Sequence, residues 1–272
     1  MVDRPEEEGL AWQVGIWDKL SAVYEDEVDT RLIPVIRYLM ARAELRPGQH
    51  VVDLGAGTGS VALQAAAAVG EEGRVTAVDI SSEMLTVACA RATARSIANI
   101  AFAEGRGEAI PAQDESHDTV LASLSLMYVI DRAATAREVA RVLRPGGRFV
   151  AAVWAGPDLN DIVKFQQTAG SFAPKPPVDG VGPGAMADPS SFLCQLTEAG
   201  LEADVEVEVT TFEFPDFESA WEVLAGVTTA SLDSALQERA KSAVRELMWP
   251  EADEPLEFRN ATQYVVATKP HG

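Results

Sequence analysis

The chain has 272 residues, enough to bury a substantial core in one large domain with additions or in two small ones. Its 22 Lys and Arg stand against 42 Asp and Glu, a formal charge of −20, and no basic cluster interrupts the excess. That composition argues against a nucleic-acid partner, which needs cations at phosphates, and against an anionic membrane surface.

The opening "MVDRPEEEGL" lacks the basic and apolar regions of a secretory signal, and the longest apolar run, 120–130, falls short of the ~20 residues that span a bilayer. A cytoplasmic location is the expectation, and there Cys89 and Cys194, far apart and outside any C-x-x-C spacing, read as small core residues. The acid gathers at residues 1–30, nine acidic against two basic, and at 201–260, fifteen against four; this reads as a solvated surface that keeps the protein soluble.

In chain order, 10–25 and 28–43 carry helical patterning, and "LRPG" at 45–48 closes the second helix. Strand-like runs follow at "HVVDL" (50–54), "RVTAVDI" (74–80), "NIAFAEG" (99–105), "HDTVLASL" (117–124) and "GRFVAAVW" (147–154). Between them, 60–69, 82–95 and 132–143 read as helices, with Ser82 and Asp131 where N-caps belong. Such alternation predicts a parallel sheet covered on both faces. Residues 174–189 hold five Pro and three Gly, so they form a long loop, a lid or a linker. A helix at 188–200, an alternating strand at 202–214, helices near 217–227 and 232–248 and a last strand at 261–269 complete the chain.

The first strand ends in a turn of Gly55, Ala56, Gly57, Thr58 and Gly59, at the carboxyl end of a parallel strand, where open α/β sheets bind ligands. The spacing is G-x-G-x-G, not the G-x-G-x-x-G of dinucleotide sites, and Asp53 lies two residues ahead of the first glycine. A carboxylate there does little for a phosphate and favours an ammonium group. Asp79, 24 residues after Gly55, ends the second strand, where an acid can accept both hydroxyls of a ribose. Adenosine joined to an amino acid without phosphates satisfies both features, which describes S-adenosylmethionine.

The segments "VVDLGAGTGSVAL", "VTAVDISSEML" and "REVARVLRPGGRFVAAVW" resemble the cofactor-binding, ribose-binding and post-fourth-strand motifs of class I S-adenosylmethionine-dependent methyltransferases, most like the small-molecule enzymes of the ubiquinone/menaquinone-biosynthesis type. The resemblance implies an α/β, Rossmann-like, doubly wound sheet of seven strands, mostly parallel with one antiparallel strand near the C-terminus. It implies one domain: an N-terminal helical lid (1–44), a cofactor-binding core (45–155), a loop and helix of the substrate cap (156–200), and C-terminal strands (201–272) carrying a helical insertion at 215–250. Carried over, Asp53 and Gly55 to Gly59 cradle the methionine moiety, Asp79 holds the ribose, and Ile80 and Met84 pack on the adenine. The family usually has an acid two residues ahead of Glu108 to meet the adenine amino group; here Arg106 stands there, followed by Gly107, so Glu104, Glu108 or backbone groups take that contact.

Methyl transfer is an in-line displacement that alignment and water exclusion accelerate, with a base needed only if the acceptor must lose a proton. His50, His117 and His271 all have structural readings, at a surface, a strand start and a tail. The segment "SLSLMYVID" (123–131) offers Ser123, on the cofactor side, Ser125 and Tyr128, the catalytic candidate or a packed tyrosine. Trp17 and Tyr24 share a helical face, either packing in the core or closing over the cofactor. Asp158, Asn160 and Asp161 read as an N-cap loop, so no metal is expected.

The resulting expectation is methyl transfer to O, N or C of a small apolar or aromatic acceptor, by a monomer or homodimer. Phe165, Phe172, Met186, Phe192, Phe217 and Trp221 are available to line the acceptor pocket, though each singly reads as core. The alternatives are a protein that binds S-adenosylmethionine without transferring methyl, and a nicotinamide-dependent oxidoreductase.

Overall fold

In a computed structural model, which describes residues 4–24, 30–250 and 254–271, seven strands form one sheet in the order β3-β2-β1-β4-β5-β7-β6. They are β1 (His50–Leu54), β2 (Arg74–Asp79), β3 (Ile100–Glu104), β4 (His117–Ser123), β5 (Leu143–Trp154), β6 (Glu202–Phe214) and β7 (Leu256–Thr268). The first five pair in parallel, and β7 runs antiparallel to both β5 and β6, the single reversal expected near the C-terminus. The chain winds outward from β1 to β3, then returns to place β4 on the other side of β1. That reversal opens a crevice at the carboxyl ends of β1, β2 and β4.

Burial follows from strand composition: Val51, Val52, Val120, Leu121, Val150 and Ala151 have no exposed surface, because helices cover both faces of the parallel strands. On those faces lie α2 (Thr30–Ala43), α3 (Ser60–Val69), α4 (Ser82–Ala94) and α5 (Arg132–Val142). The alanines of α3 let it lie close to the sheet. Polar side chains fix the helix starts: Ser81 accepts from the Met84 N–H and Asp131 from the Ala134 N–H. The cap of α4 is thus Ser81, one residue before the Ser82 of the sequence reading.

The first helix, α1 (Arg4–Tyr24), begins six residues earlier than its apolar pattern, because its first turns are acidic. The expected helix end at Glu25 and helix start at Val28 lie outside the described residues. One helix was not anticipated at all: α6 (Asp161–Gly170), capped by Asn160, whose Oδ1 accepts from the Val163 N–H at 3.0 Å. The N-cap reading of that loop was therefore correct while the helix it caps went unread. Asp161 in turn accepts from the Arg259 N–H, and β7 starts five residues before its obvious apolar run because Glu257 and Arg259 alternate with buried Phe258 and Asn260. Next comes α7 (Ser190–Glu198), and between β6 and β7 the chain inserts α8 (Phe217–Leu224), α9 (Gly226–Thr229) and α10 (Ser234–Met248).

Both cysteines are exposed and free, a correction to their reading as core residues. Each sits on the outer face of a helix, α4 for Cys89 and α7 for Cys194, where a small side chain carries no burial requirement. Residues 174–189 form no helix or strand, yet the loop is fastened to the core: the Gly182 N–H donates to Met127 O at 2.9 Å, and Arg132 donates to Gly180 O at 2.7 Å.

Candidate active site

The turn after β1 is held by its own backbone. The N–H groups of Gly55 and Ala56 both donate to Val78 O, that of Gly59 to Ala56 O, and that of Gly57 to the Asp79 carboxylate at 2.7 Å. These four amides are spent on protein acceptors, and one of those acceptors is negatively charged. A pyrophosphate cradle needs free amides and no carboxylate, so this turn suits a ligand without phosphates.

Gly55 and Gly57 have φ of +72° and +53°. A side chain on Gly55 would strike Ser125, whose Oγ donates to Leu54 O at 2.7 Å, so the turns after β1 and β4 meet only because residue 55 is glycine. A Cβ on Gly57 would meet nothing within 4 Å, which leaves the backbone open to a ligand. Gly59 serves packing: its Cβ would lie 3.0 Å from Ala88 on α4.

Over this turn lies a cavity of about 830 Å³, mouth included. Its floor is Leu54, Gly55 and Gly57, and one wall is Asp79, Ile80 and Met84. The turn after β3 supplies Gly105, Arg106, Gly107 and Glu108, and the turn after β4 supplies residues 123–125 and 128–130, including Ser123 and Tyr128. Leu10, Gln13, Trp17 and Tyr24 of α1 close the top. Spacings of three, four and seven put them on one helix face.

Twelve of the expected site residues therefore come together around one space: Trp17, Tyr24, Gly55, Gly57, Asp79, Ile80, Met84, Arg106, Gly107, Glu108, Ser123 and Tyr128. Asp53, Ala56, Thr58 and Gly59 do not line it. Asp53 is 1% exposed, its side chain turned beneath the glycine turn by strand alternation, while Thr58 and Gly59 already lead into α3. Burial pushes the Asp53 carboxyl up to about 7, with the Asp79 charge adding to the effect and the Ala62 N–H only partly opposing it. Neither Asp53 oxygen has a hydrogen-bond partner of good geometry among the described residues.

Asp79 accepts from the N–H groups of Gly57 and Ser81, at 2.7 and 2.9 Å. Burial still holds its pKa above the ordinary carboxylate value, and Asp18 of α1 raises it further. Asp18 reaches this corner by accepting from Ser81 Oγ at 2.6 Å.

Arg106 does not replace the missing acid. Its guanidinium pairs with Glu6 of α1 at 2.9 Å, and Glu108 spends an oxygen on the Ile130 and Asp131 N–H groups. Glu104 is exposed and away from the cavity. With Gln13 donating to Tyr128 O at 2.7 Å, α1 is tied to the turns after β2, β3 and β4 alike. Gln13 escaped the sequence reading because only tertiary contact distinguishes it from any other polar helix residue; Leu10, on the same face three residues earlier, was within reach of a periodicity argument.

Trp17 stands edge-to-face against Tyr128, centroids 4.9 Å apart, and against Tyr24 at 6.3 Å. Burial pushes the Tyr128 phenol above its ordinary value, so it stays protonated, and it makes no hydrogen bond to a described residue. The histidines are elsewhere: His50 and His117 lie at the amino ends of β1 and β4, and His271 packs against Gly146.

Residues 45–171 match the family described as a methyltransferase domain. Over 221 residues the chain is 32% identical to the 27-O-demethylrifamycin SV methyltransferase of Amycolatopsis mediterranei, covering 80% of this chain and 76% of that protein. This chain belongs to the class I S-adenosylmethionine-dependent methyltransferases. It is also 41% identical over 113 residues to the ubiquinone/menaquinone biosynthesis C-methyltransferase UbiE of Xanthomonas campestris, a match that spans 41% of this chain and 45% of that protein's length. The solved YcgJ protein of Bacillus subtilis superimposes with a TM-score of 0.64 at 20% identity, over 87% of this chain and 98% of that one, a likeness of fold.

The family's cofactor, S-adenosylmethionine, fits the residues present. Gly57 faces open space, Asp79 is the acid at the end of β2, and four amides of the turn are already spent on protein acceptors. No helix among the described residues is long and apolar enough to cross a membrane.

Proposed function

We propose that this methyltransferase moves a methyl group from S-adenosylmethionine to O, N or C of a small apolar or aromatic molecule, inside a space that α1 closes to water. The observation that carries this reading is the cavity where the phosphate-incompatible glycine turn and Asp79 meet under Trp17 and Tyr128. When bound, the cofactor supplies an electrophilic methyl on a sulfonium.

Asp79 holds the ribose hydroxyls, exchanging the Gly57 N–H for them, and Ile80 and Met84 cover the adenine. Trp17 and Tyr24 exclude water and present aromatic faces to the positive charge. Tyr128, kept protonated by its burial, donates a hydrogen bond at the reacting end and orients the acceptor; it is not a base near neutral pH.

Parallel calorimetric titrations with S-adenosylmethionine, S-adenosylhomocysteine and NAD test the reading. Dissociation constants on the order of micromolar are expected for the first two and none for NAD. Binding of NAD alone would overturn it. Release of S-adenosylhomocysteine across an acceptor panel separates transfer from a protein that only holds its cofactor. Tyr128→Phe should leave cofactor affinity unchanged and slow turnover roughly tenfold or more.

A further inference from the structure

A second cavity, of about 640 Å³, lies beside the first and shares Trp17, Tyr24, Leu124 and Tyr128 with it. The shared side chains are the partition between the two spaces. Beyond them, and besides Met127 and Trp154, the walls come from elements outside residues 45–155, among them Ile162 and Gln166 of α6, Phe212 and Phe214 of β6, and residues of α8 and α9. That figure includes open space at the mouth, and the lining is aromatic and aliphatic with few polar groups, the composition of small-ligand pockets.

Gln166 is the side chain that does not belong in such a lining. It is 7% exposed, and its Nε2 donates to Leu224 O at 3.4 Å. A carbonyl can only accept, so this contact fixes which end of the amide is nitrogen and leaves Oε1 as the other. No described residue donates to Oε1. The side chain sits among apolar lining residues, so its oxygen is an acceptor open to a donor that enters the cavity. Arg31 is the one charged residue among the described lining residues; it lies against the Phe214 ring, 5.5 Å from its centroid, and no Asp or Glu among them faces the space.

We infer that this second cavity is the acceptor site and that it takes an aromatic molecule carrying a neutral O–H or N–H, which donates to Gln166 Oε1. The inference rests on the methyl-transfer reading only for what happens at the partition; the occupant's chemistry follows from the lining. Gln166 sets which ring compounds are held, and the Trp17–Tyr128 pair sets which of their atoms reaches the cofactor.

Equilibrium dialysis of the full chain loaded with S-adenosylhomocysteine, using naphthol for O–H, indole for N–H and naphthalene for neither, tests it. Naphthol or indole should bind about tenfold more tightly than naphthalene. Gln166→Leu should bring that ratio to within about twofold with cofactor affinity unchanged, and Val223→Trp, which fills the cavity, should weaken all ring compounds about tenfold. A ratio that survives Gln166→Leu, binding indifferent to Val223→Trp, or no binding of any ring compound would overturn the inference. Failure of S-adenosylhomocysteine to bind would sink the methyl-transfer reading instead, and dialysis of the unloaded protein against the same three compounds still decides the nature of the cavity.

Discussion

The two ends of the sheet treat their buried polar groups in opposite ways. At the amino ends, His117 Nδ1 lies 2.8 Å from Ser116 Oγ, and Asp118 accepts from both the His50 N–H and Arg144. Lys269 donates to the carbonyls of Ala140 and Leu143 there. At the carboxyl ends, Gly57 faces open space, and neither the Tyr128 phenol nor Gln166 Oε1 meets a donor or acceptor among the described residues. At the amino end these groups are spent on the fold. The other holds capacity for a ligand, which is why chemistry belongs there.

The strongest way to break the comparison is Gly55→Val. It puts a β-branched residue at φ +72° and a side chain into Ser125, so roughly 2–5 kcal/mol of stability should be lost. Urea unfolding and calorimetry check it: cofactor binding should vanish even where the fold survives at low temperature.

Asp79→Ala is next. It leaves the Gly57 and Ser81 N–H groups without their acceptor and removes the ribose contact, so affinity for S-adenosylhomocysteine should fall about 100-fold, close to 3 kcal/mol. Unchanged affinity would withdraw the ribose assignment.

The two ends also respond oppositely to acid. Burial lowers the His117 pKa to about 4, with His50 and Arg144 adding to the effect, against an ordinary value of 6.5. Its stabilising contribution is full above 6.5 and is lost as pH falls through the window to about 4, because the unfolded chain takes up the proton first. Asp53, raised from 3.8 to about 7, does the reverse: its contribution is full below 3.8 and is lost as pH rises toward 7. Unfolding midpoints across this range should therefore climb toward acid in His117→Gln and decline toward acid in Asp53→Asn. Parallel curves for the two variants would remove the contrast.

The smallest effect is expected at Arg106, which sharpens the comparison by testing the roof. Its pair with Glu6 is about one third exposed on each side, so Arg106→Ala should cost under about 1 kcal/mol and change cofactor affinity by less than about fivefold. Glu6→Gln should do the same, and the double variant no more. A large loss in Arg106→Ala alone would mean that the guanidinium itself touches the cofactor.

The legible part of the site was the part written in consecutive residues. Gly55, Gly57, Asp79, Ile80 and Met84 follow strands whose ends the β-branched runs mark, so a turn at a strand's carboxyl end could be placed from the sequence. Asp53 lies beneath the turn and outside the cavity lining, because strand alternation fixes a side chain's face but not which face opens on the cavity. Of the aromatics offered for the acceptor pocket, Phe165, Phe192 and Phe217 are core, as is Met186. Trp221 packs on Phe165 and Phe217, and Arg239 lies over Phe172. Phe212 and Phe214, which do line the second cavity, had read only as the tail of a half-buried strand.

By itself the sequence determined the parallel core and the glycine turn at the end of its first strand, because period-two burial, helix caps and glycine turns act between near neighbours. Only the tertiary structure decided the roof and the second cavity. Arg106 meets Glu6, Gln13 meets Tyr128 and Gln166 meets Leu224 across 100, 115 and 58 residues of chain. Hydrophobic burial has no direction of its own, so whether an apolar residue ends in core or in a cavity wall depends on which distant segment packs against it.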